Sequence, residues 1–102
     1  MHKLVDETAK LIGIKQDIPA SAVNCNGDYV GPGYSLPTDS MVEAVKLLAR
    51  TESILLDPVY SGKAMAGFID LIRKDAFPKG SNVLFLHTGG SPALYAYTDT
   101  FK

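Results

Sequence analysis

Three short apolar runs, each handing the chain to a loop of glycine, proline and hydroxyl residues and then to a helical pattern, constrain this sequence most. Val83 to Leu86 is the clearest, running straight into His87-Thr88-Gly89-Gly90-Ser91-Pro92. A run apolar at every position, rather than at alternate ones, predicts a strand covered on both faces. Ile54 to Leu56 has the same character and closes on Asp57-Pro58. Ala22 to Cys25 and Tyr29 to Val30 flank Asn26-Gly27, a strong turn signal, and read either as a hairpin or as a single strand followed by a turn.

Helical spacing fills the intervals. Leu4, Val5, Thr8, Ala9, Leu11 and Ile12 share one side of a first helix that Gly13 ends. Ser40 and Glu43 form a capping box for a second helix, whose apolar stripe is Met41, Val42, Val45, Leu48 and Ala49 and which ends near Arg50. Gly62 to Lys74 predicts a third, with Gly67 inside it as a point of close packing. Ser91 as N-cap and Pro92 at the first position open a last short helix through Tyr97. Helix, strand, loop, helix, strand, helix, strand, helix is the order of an α/β fold with a short parallel sheet of about three strands. So thin a sheet leaves its edges and faces bare, so the 102 residues read as a single partial domain of something larger.

Charge and cysteine content narrow the function. Ten Lys and Arg against eleven Asp and Glu give a net charge of −1, which leaves no field to attract nucleic acid or anionic lipid. No apolar run approaches the roughly 18 residues of a membrane span. The lone Cys25 makes no internal disulfide, suits a reducing, cytoplasmic setting, and reads as a buried small hydrophobe. His87 has no second ligand at metal spacing and reads as a satisfied core or loop histidine, so no metal site is expected.

In open α/β sheets ligands sit beyond the carboxyl ends of the strands. Three loops qualify: Gly31 to Pro37, Asp57 to Lys63, and His87 to Pro92. Thr88 to Ser91 reads equally as an anion site or as a plain helix cap. Gly62-Lys63 lacks the remainder of a phosphate-binding P-loop, and Lys63 reads as a solvated residue of the first helical turn. Phe68, Phe85, Tyr95 and Tyr97 fall within periodic elements and read as core aromatics. Tyr34 and Tyr60 lie instead in loops at the ligand end, where a phenol can stack on a flat cofactor or exchange a proton.

The same loops carry a resemblance. Tyr29-Val30-Gly31-Pro32-Gly33-Tyr34 with Leu36-Pro37, Glu43 to Arg50, Leu55 to Gly67 (LLDPVYSGKAMAG) and His87 to Leu94 (HTGGSPAL) closely resemble the carboxyl-terminal part of the D-cysteine desulfhydrase and 1-aminocyclopropane-1-carboxylate deaminase family, over about Asp28 to Phe101. The resemblance implies a pyridoxal-phosphate enzyme of the tryptophan-synthase-β fold type, a lyase or deaminase with a small amino-acid substrate. It places Tyr34 and Tyr60 as catalytic residues, and Tyr60, Ser61, Thr88 and Gly89 against the cofactor. Cyclopropane-cleaving members carry glutamate and leucine at the Ser61 and Thr88 positions and desulfhydrases carry hydroxyls, so the resemblance favours D-cysteine. A carboxylate beside the pyridine nitrogen would stabilise its protonated form, whereas a hydroxyl leaves it less protonated, which suffices for β-elimination. The family's imine-forming lysine belongs to an earlier portion, so the chain is expected to be inactive alone, working with a complementing amino-terminal chain or persisting as a self-associating homo-oligomer.

Overall fold

The computed structural model describes residues 1–102. Its regular structure is helical: α1 (His2–Leu11), α2 (Asp39–Glu52) and α3 (Ser61–Arg73), with 3-10 turns at Ala20–Ala22, Ser91–Ala96 and Thr98–Phe101. The parallel sheet expected from the sequence is absent, and the α/β assignment gives way to an all-helical arrangement joined by extended segments. Ala22 to Cys25, Tyr29 to Val30, Ile54 to Leu56 and Val83 to Leu86 form no strands.

The physical reason is visible at Leu55. A strand exists only through the backbone groups of a neighbour, and the Leu55 carbonyl that a ladder would use accepts instead from His87 Nε2 at 2.9 Å and Ser91 Oγ at 2.7 Å. Side chains thus tie 54–56 to the segment around 87–91 in place of a ladder. Leu84 and Leu86 are correspondingly bare, at 88% and 76% exposure. Around Asn26-Gly27 the chain makes a local turn: Asn26 Oδ1 accepts from the Asp28 amide at 2.8 Å. Cys25 lies exposed on this stretch, not buried as its residue type predicts.

One core forms, between α2 and α3. Met41, Ala44 and Val45 of α2 meet Met65 and Ala66 of α3 over Leu56, and Phe68, Ile69, Phe85 and Leu94 close its margin. Met41 and Val45 belong to the stripe that helical spacing predicts for α2, and Ala44 and Ala66 join the core from outside the predicted stripes. Two details of the boundaries differ. Thr38, not Ser40, caps α2, its Oγ1 accepting from the Met41 amide at 3.2 Å. Tyr95, expected in the core, is 86% exposed, while Phe68, Phe85 and Tyr97 are half-buried.

Gly62 and Gly67 let α3 approach its neighbours. A Cβ on Gly62 would lie 2.6 Å from the Asp57 carbonyl oxygen and 2.8 Å from Val45 Cγ2. One on Gly67 would lie 2.7 Å from Tyr29 Cδ2, so the close packing expected at Gly67 is with the Tyr29 ring. Arg73 of α3 bonds Glu43 of α2 at 2.7 Å across the exposed side. Away from this core the chain is open, with a radius of gyration of 16.0 Å against about 13 Å for a compact chain of this length. The apolar side of α1 buries Ala9 alone and leaves Leu4, Leu11 and Ile12 exposed. No helix is long and apolar enough to cross a membrane.

Candidate active site

The start of α3 is held by a single carboxylate. Asp57 is buried, and its Oδ2 accepts from the amides of Val59 (2.8 Å) and Tyr60 (2.7 Å). Its Oδ1 accepts from the Ser61 amide (2.8 Å) and the Ser61 hydroxyl (2.6 Å), and Ser61 Oγ in turn accepts from the Asp57 amide at 2.9 Å. These are the orphan donors of a helix N-terminus, satisfied by one side chain. Burial pushes the Asp57 carboxyl up, but the Ser61 hydroxyl and the amides of Ser61, Tyr60 and Val59 outweigh it, and the group ionises below the ordinary carboxylate value.

This knot aims Tyr60 outward. Its hydroxyl meets that of Tyr34 at 2.6 Å, the rings lying edge to face with centroids 5.8 Å apart. The two residues that the sequence singles out, 26 positions apart, are therefore brought together. Both phenols are largely exposed, at 73% and 61%. The hydrogen bond with Tyr34 holds the Tyr60 phenol above its ordinary value, with burial and the charges of Tyr34 and Asp57 acting in the same direction.

The pair stands at an apolar cleft of about 460 Å³ lined by Asn26, Tyr29, Val30, Val59, Lys63, Ala64, Gly67 and Leu71 in addition to the two tyrosines. Tyr29 is part of this lining, its hydroxyl donating to Asp70 Oδ2 at 2.5 Å. Asp70 also takes Lys74 Nζ at 2.6 Å, and these two bonds, that of Lys74 first, keep its carboxyl below the ordinary value.

Lys63 departs from expectation. It is 7% exposed rather than solvated, and its Nζ donates to the carbonyls of Val30 (2.6 Å) and Gly33 (3.0 Å). The signal that would have found it is spacing: Tyr60, just before α3, and Lys63, Ala64, Gly67 and Leu71 within it stand at i, i+3, i+4, i+7 and i+11, and all line the cleft. Nothing in the sequence marks Tyr29 as the partner of Asp70.

Ser61, Thr88 and Gly89 do not line the cleft. Ser61 has both its proton and a lone pair engaged with Asp57. Thr88 and Gly89 lie on an exposed turn, where the Gly89 amide donates to His87 Nδ1 at 3.0 Å and His87 Nε2 reaches the Leu55 carbonyl, so His87 is a satisfied loop histidine. The turn nevertheless converges on the same carboxylate: a Cβ on Gly90 would lie 3.0 Å from Asp57 Oδ1. Asp57 thus stands between the Ser61 helix start and Gly90 of the 88–91 segment.

The chemistry of the cleft suits one face of a flat aromatic ring: Val30, Val59, Ala64 and Leu71 supply apolar wall, and Tyr60 supplies a phenol at its rim. The Lys63 ammonium is already held by two carbonyls. The chain therefore presents a wall for such a ring and a hydrogen-bonded phenol pair beside it.

The pattern of the family described as pyridoxal-phosphate dependent enzymes matches residues 1–89. Over all 102 residues the chain is 44% identical to a 1-aminocyclopropane-1-carboxylate deaminase of Rhizobium leguminosarum bv. viciae, covering 30% of that protein. It is 47% identical over 100 residues, 98% of the chain and 30% of the relative, to the protein of that name in Pseudomonas syringae pv. tomato. A probable 1-aminocyclopropane-1-carboxylate deaminase of Schizosaccharomyces pombe is 44% identical over 100 residues, again 30% of its length. The chain spans about 30% of the length of these curated relatives.

Proposed function

Since the chain belongs to the family of pyridoxal-phosphate dependent enzymes, we propose that it forms one wall of the cofactor and substrate site of an enzyme acting on a small amino acid, and that this enzyme releases sulfide from D-cysteine. The observation that carries the reading is the Tyr34–Tyr60 phenol pair at the mouth of an apolar cleft. Bound pyridoxal phosphate supplies an electron sink that makes the α-proton of an amino acid acidic.

The roles of the residues follow from their contacts. Val30, Val59, Ala64 and Leu71 cover an aromatic face and exclude water from it. Tyr60, with its phenol held above the ordinary value, keeps its proton through neutral pH, which fits a proton donor at Oη better than an anionic nucleophile. Tyr34 Oη orients that proton and can replace it. The overall reaction balances as D-cysteine plus water giving pyruvate, hydrogen sulfide and ammonia. In this reading Ser61, Thr88 and Gly89 contact the cofactor, and Ser61 also fixes the turn that carries Tyr60 through its bonds to Asp57. The Ser61 and Thr88 hydroxyls, where the resembled cyclopropane-cleaving enzymes carry glutamate and leucine, support the sulfur substrate.

A second reading, 1-aminocyclopropane-1-carboxylate deamination, is favoured by the names of the relatives. A chimera separates the two. The chain replaces the matching segment of the Rhizobium leguminosarum relative, and release of pyruvate and sulfide from D-cysteine is compared with release of ammonia from 1-aminocyclopropane-1-carboxylate. The sulfur reading predicts a higher kcat/KM for D-cysteine, reversed on Ser61→Glu with Thr88→Leu. Preferential cyclopropane opening by the unaltered chimera assigns the second reading instead.

A further inference from the structure

We propose that Lys63 is a positioning residue whose ammonium ties the Val30 and Gly33 carbonyls to the first turn of α3 and thereby holds the Tyr34 phenol on Tyr60. The proposal concerns the geometry of the pair; its bearing on catalysis rests on the reading of that pair given above.

A lysine in this place is unfavourable on local grounds. Lys63 is the third residue of α3, where the positive end of the helix dipole opposes a cation. It is also buried, and an ammonium removed from water is strongly disfavoured unless its donors find partners. Helix formation and core packing would both be served better by an apolar or acidic residue. What the site gains is a pair of charge-assisted bonds, at 2.6 and 3.0 Å, to carbonyls that bracket Gly31-Pro32.

That loop has little else to fix its path. Its own backbone bonds, Val30 to Gly27 at 3.3 Å and Leu36 to Gly33 at 3.4 Å, are both long. Pro32 has no amide hydrogen to contribute. The remaining ties are side-chain bonds: Ser35 to Tyr97, and Tyr34 to Tyr60 itself. Gly33, whose carbonyl Lys63 holds, directly precedes Tyr34. Tyr60, which directly precedes α3, and Lys63, its third residue, stand three positions apart at the start of that helix. The start of α3 therefore brings together the phenol and the cation that fixes the loop bearing the partner phenol.

Tyrosine titration in the unaltered chain and in variants tests this without requiring turnover. With 13Cζ-tyrosine labelling, the five tyrosines are followed by NMR against pH, and Tyr60 is assigned by Tyr60→Phe. Tyr34→Phe sets the benchmark: Tyr60 should move down toward the ordinary value of about 10. Lys63→Met should move it in the same direction and by a similar amount, Lys63→Arg should restore it, and Lys63→Met on the Tyr34→Phe background should add nothing. A purely electrostatic role predicts the opposite sign, because removing a cation makes a phenolate harder to form. An upward or absent shift in Lys63→Met overturns the proposal. Where Lys63→Met loses its far-UV helical signal, exchange of the Lys63 ammonium hydrogens in the unaltered chain decides: protection from exchange supports the clamp, and exchange as fast as for a free lysine overturns it. A shifted titration together with full turnover in a Tyr60→Phe chimera would leave the clamp standing and refute the catalytic reading of the pair.

Discussion

Removing the Asp57 carboxylate should cost the chain a large part of its stability, although Asp57 touches neither the cleft nor any cation. Its four accepted bonds, from Val59 N, Tyr60 N, Ser61 N and Ser61 Oγ, lie between 2.6 and 2.8 Å. In Asp57→Ala the amides of Val59 and Tyr60, near the surface, regain water at little cost. The amide and hydroxyl of Ser61, a residue 3% exposed, do not. Leaving a buried donor unpaired costs about 1–3 kcal/mol, and loss of the helix cap adds about 1 kcal/mol. With two such donors the sum, about 3–7 kcal/mol, compares with roughly 5–15 kcal/mol for a whole domain of this size. With a urea dependence near 1 kcal/mol per molar at this length, the unfolding midpoint should fall by about 3 M or more. Asp57→Asn keeps the shape but turns an amide toward one pair of donors, so it should lose about half as much. Urea titrations followed by far-UV circular dichroism measure both. A loss below about 1 kcal/mol in Asp57→Ala would show that the carboxylate does not hold the start of α3.

The same carboxyl ionises below its unfolded value of about 3.9, so its stabilising contribution is complete above that pH and is lost as pH falls through the lower, folded value. Urea midpoints at pH 7 and pH 3 should therefore differ more in the unaltered chain than in Asp57→Asn; equal differences would contradict this. Gly67→Ala should gain about 1 kcal/mol of helix propensity yet lower stability by about 1 kcal/mol net, because the added methyl displaces the Tyr29 ring and breaks its bond to Asp70; near-UV dichroism should report the Tyr29 movement, and a stabilised variant would refute the contact. Leu56→Ala, at the fully buried centre of the core, should cost about 2–5 kcal/mol in the same urea assay, and a loss under 1 kcal/mol would place the core elsewhere.

The helices were legible because their information is local. The stripes of α2 and α3, the close approach at Gly67 and the exposed position of the two loop tyrosines follow from spacing and from the company of glycine and proline. The strands were misread because a strand is a relation between segments: the apolar composition of Ile54 to Leu56 and Val83 to Leu86 says nothing of the Leu55 carbonyl accepting from His87 and Ser91. Lys63 escaped for a similar reason. A lysine in a first helical turn is ordinarily solvated, and its burial arises from carbonyls 30 and 33 positions earlier in the chain. The bonds of the Ser61 hydroxyl to Asp57 were not legible either, since they depend on the backbone turn at Asp57 rather than on residue type.

Turnover by the chimera carrying Tyr60→Phe or Tyr34→Phe tests the central claim, that this chain brings a working phenol pair to a pyridoxal-phosphate site. The account predicts that each variant still binds the cofactor, seen in its visible absorbance, while kcat falls by at least 10²-fold for Tyr60→Phe, the scale of a lost general acid, and by less for Tyr34→Phe. Unchanged kcat in Tyr60→Phe, with cofactor bound, would contradict it.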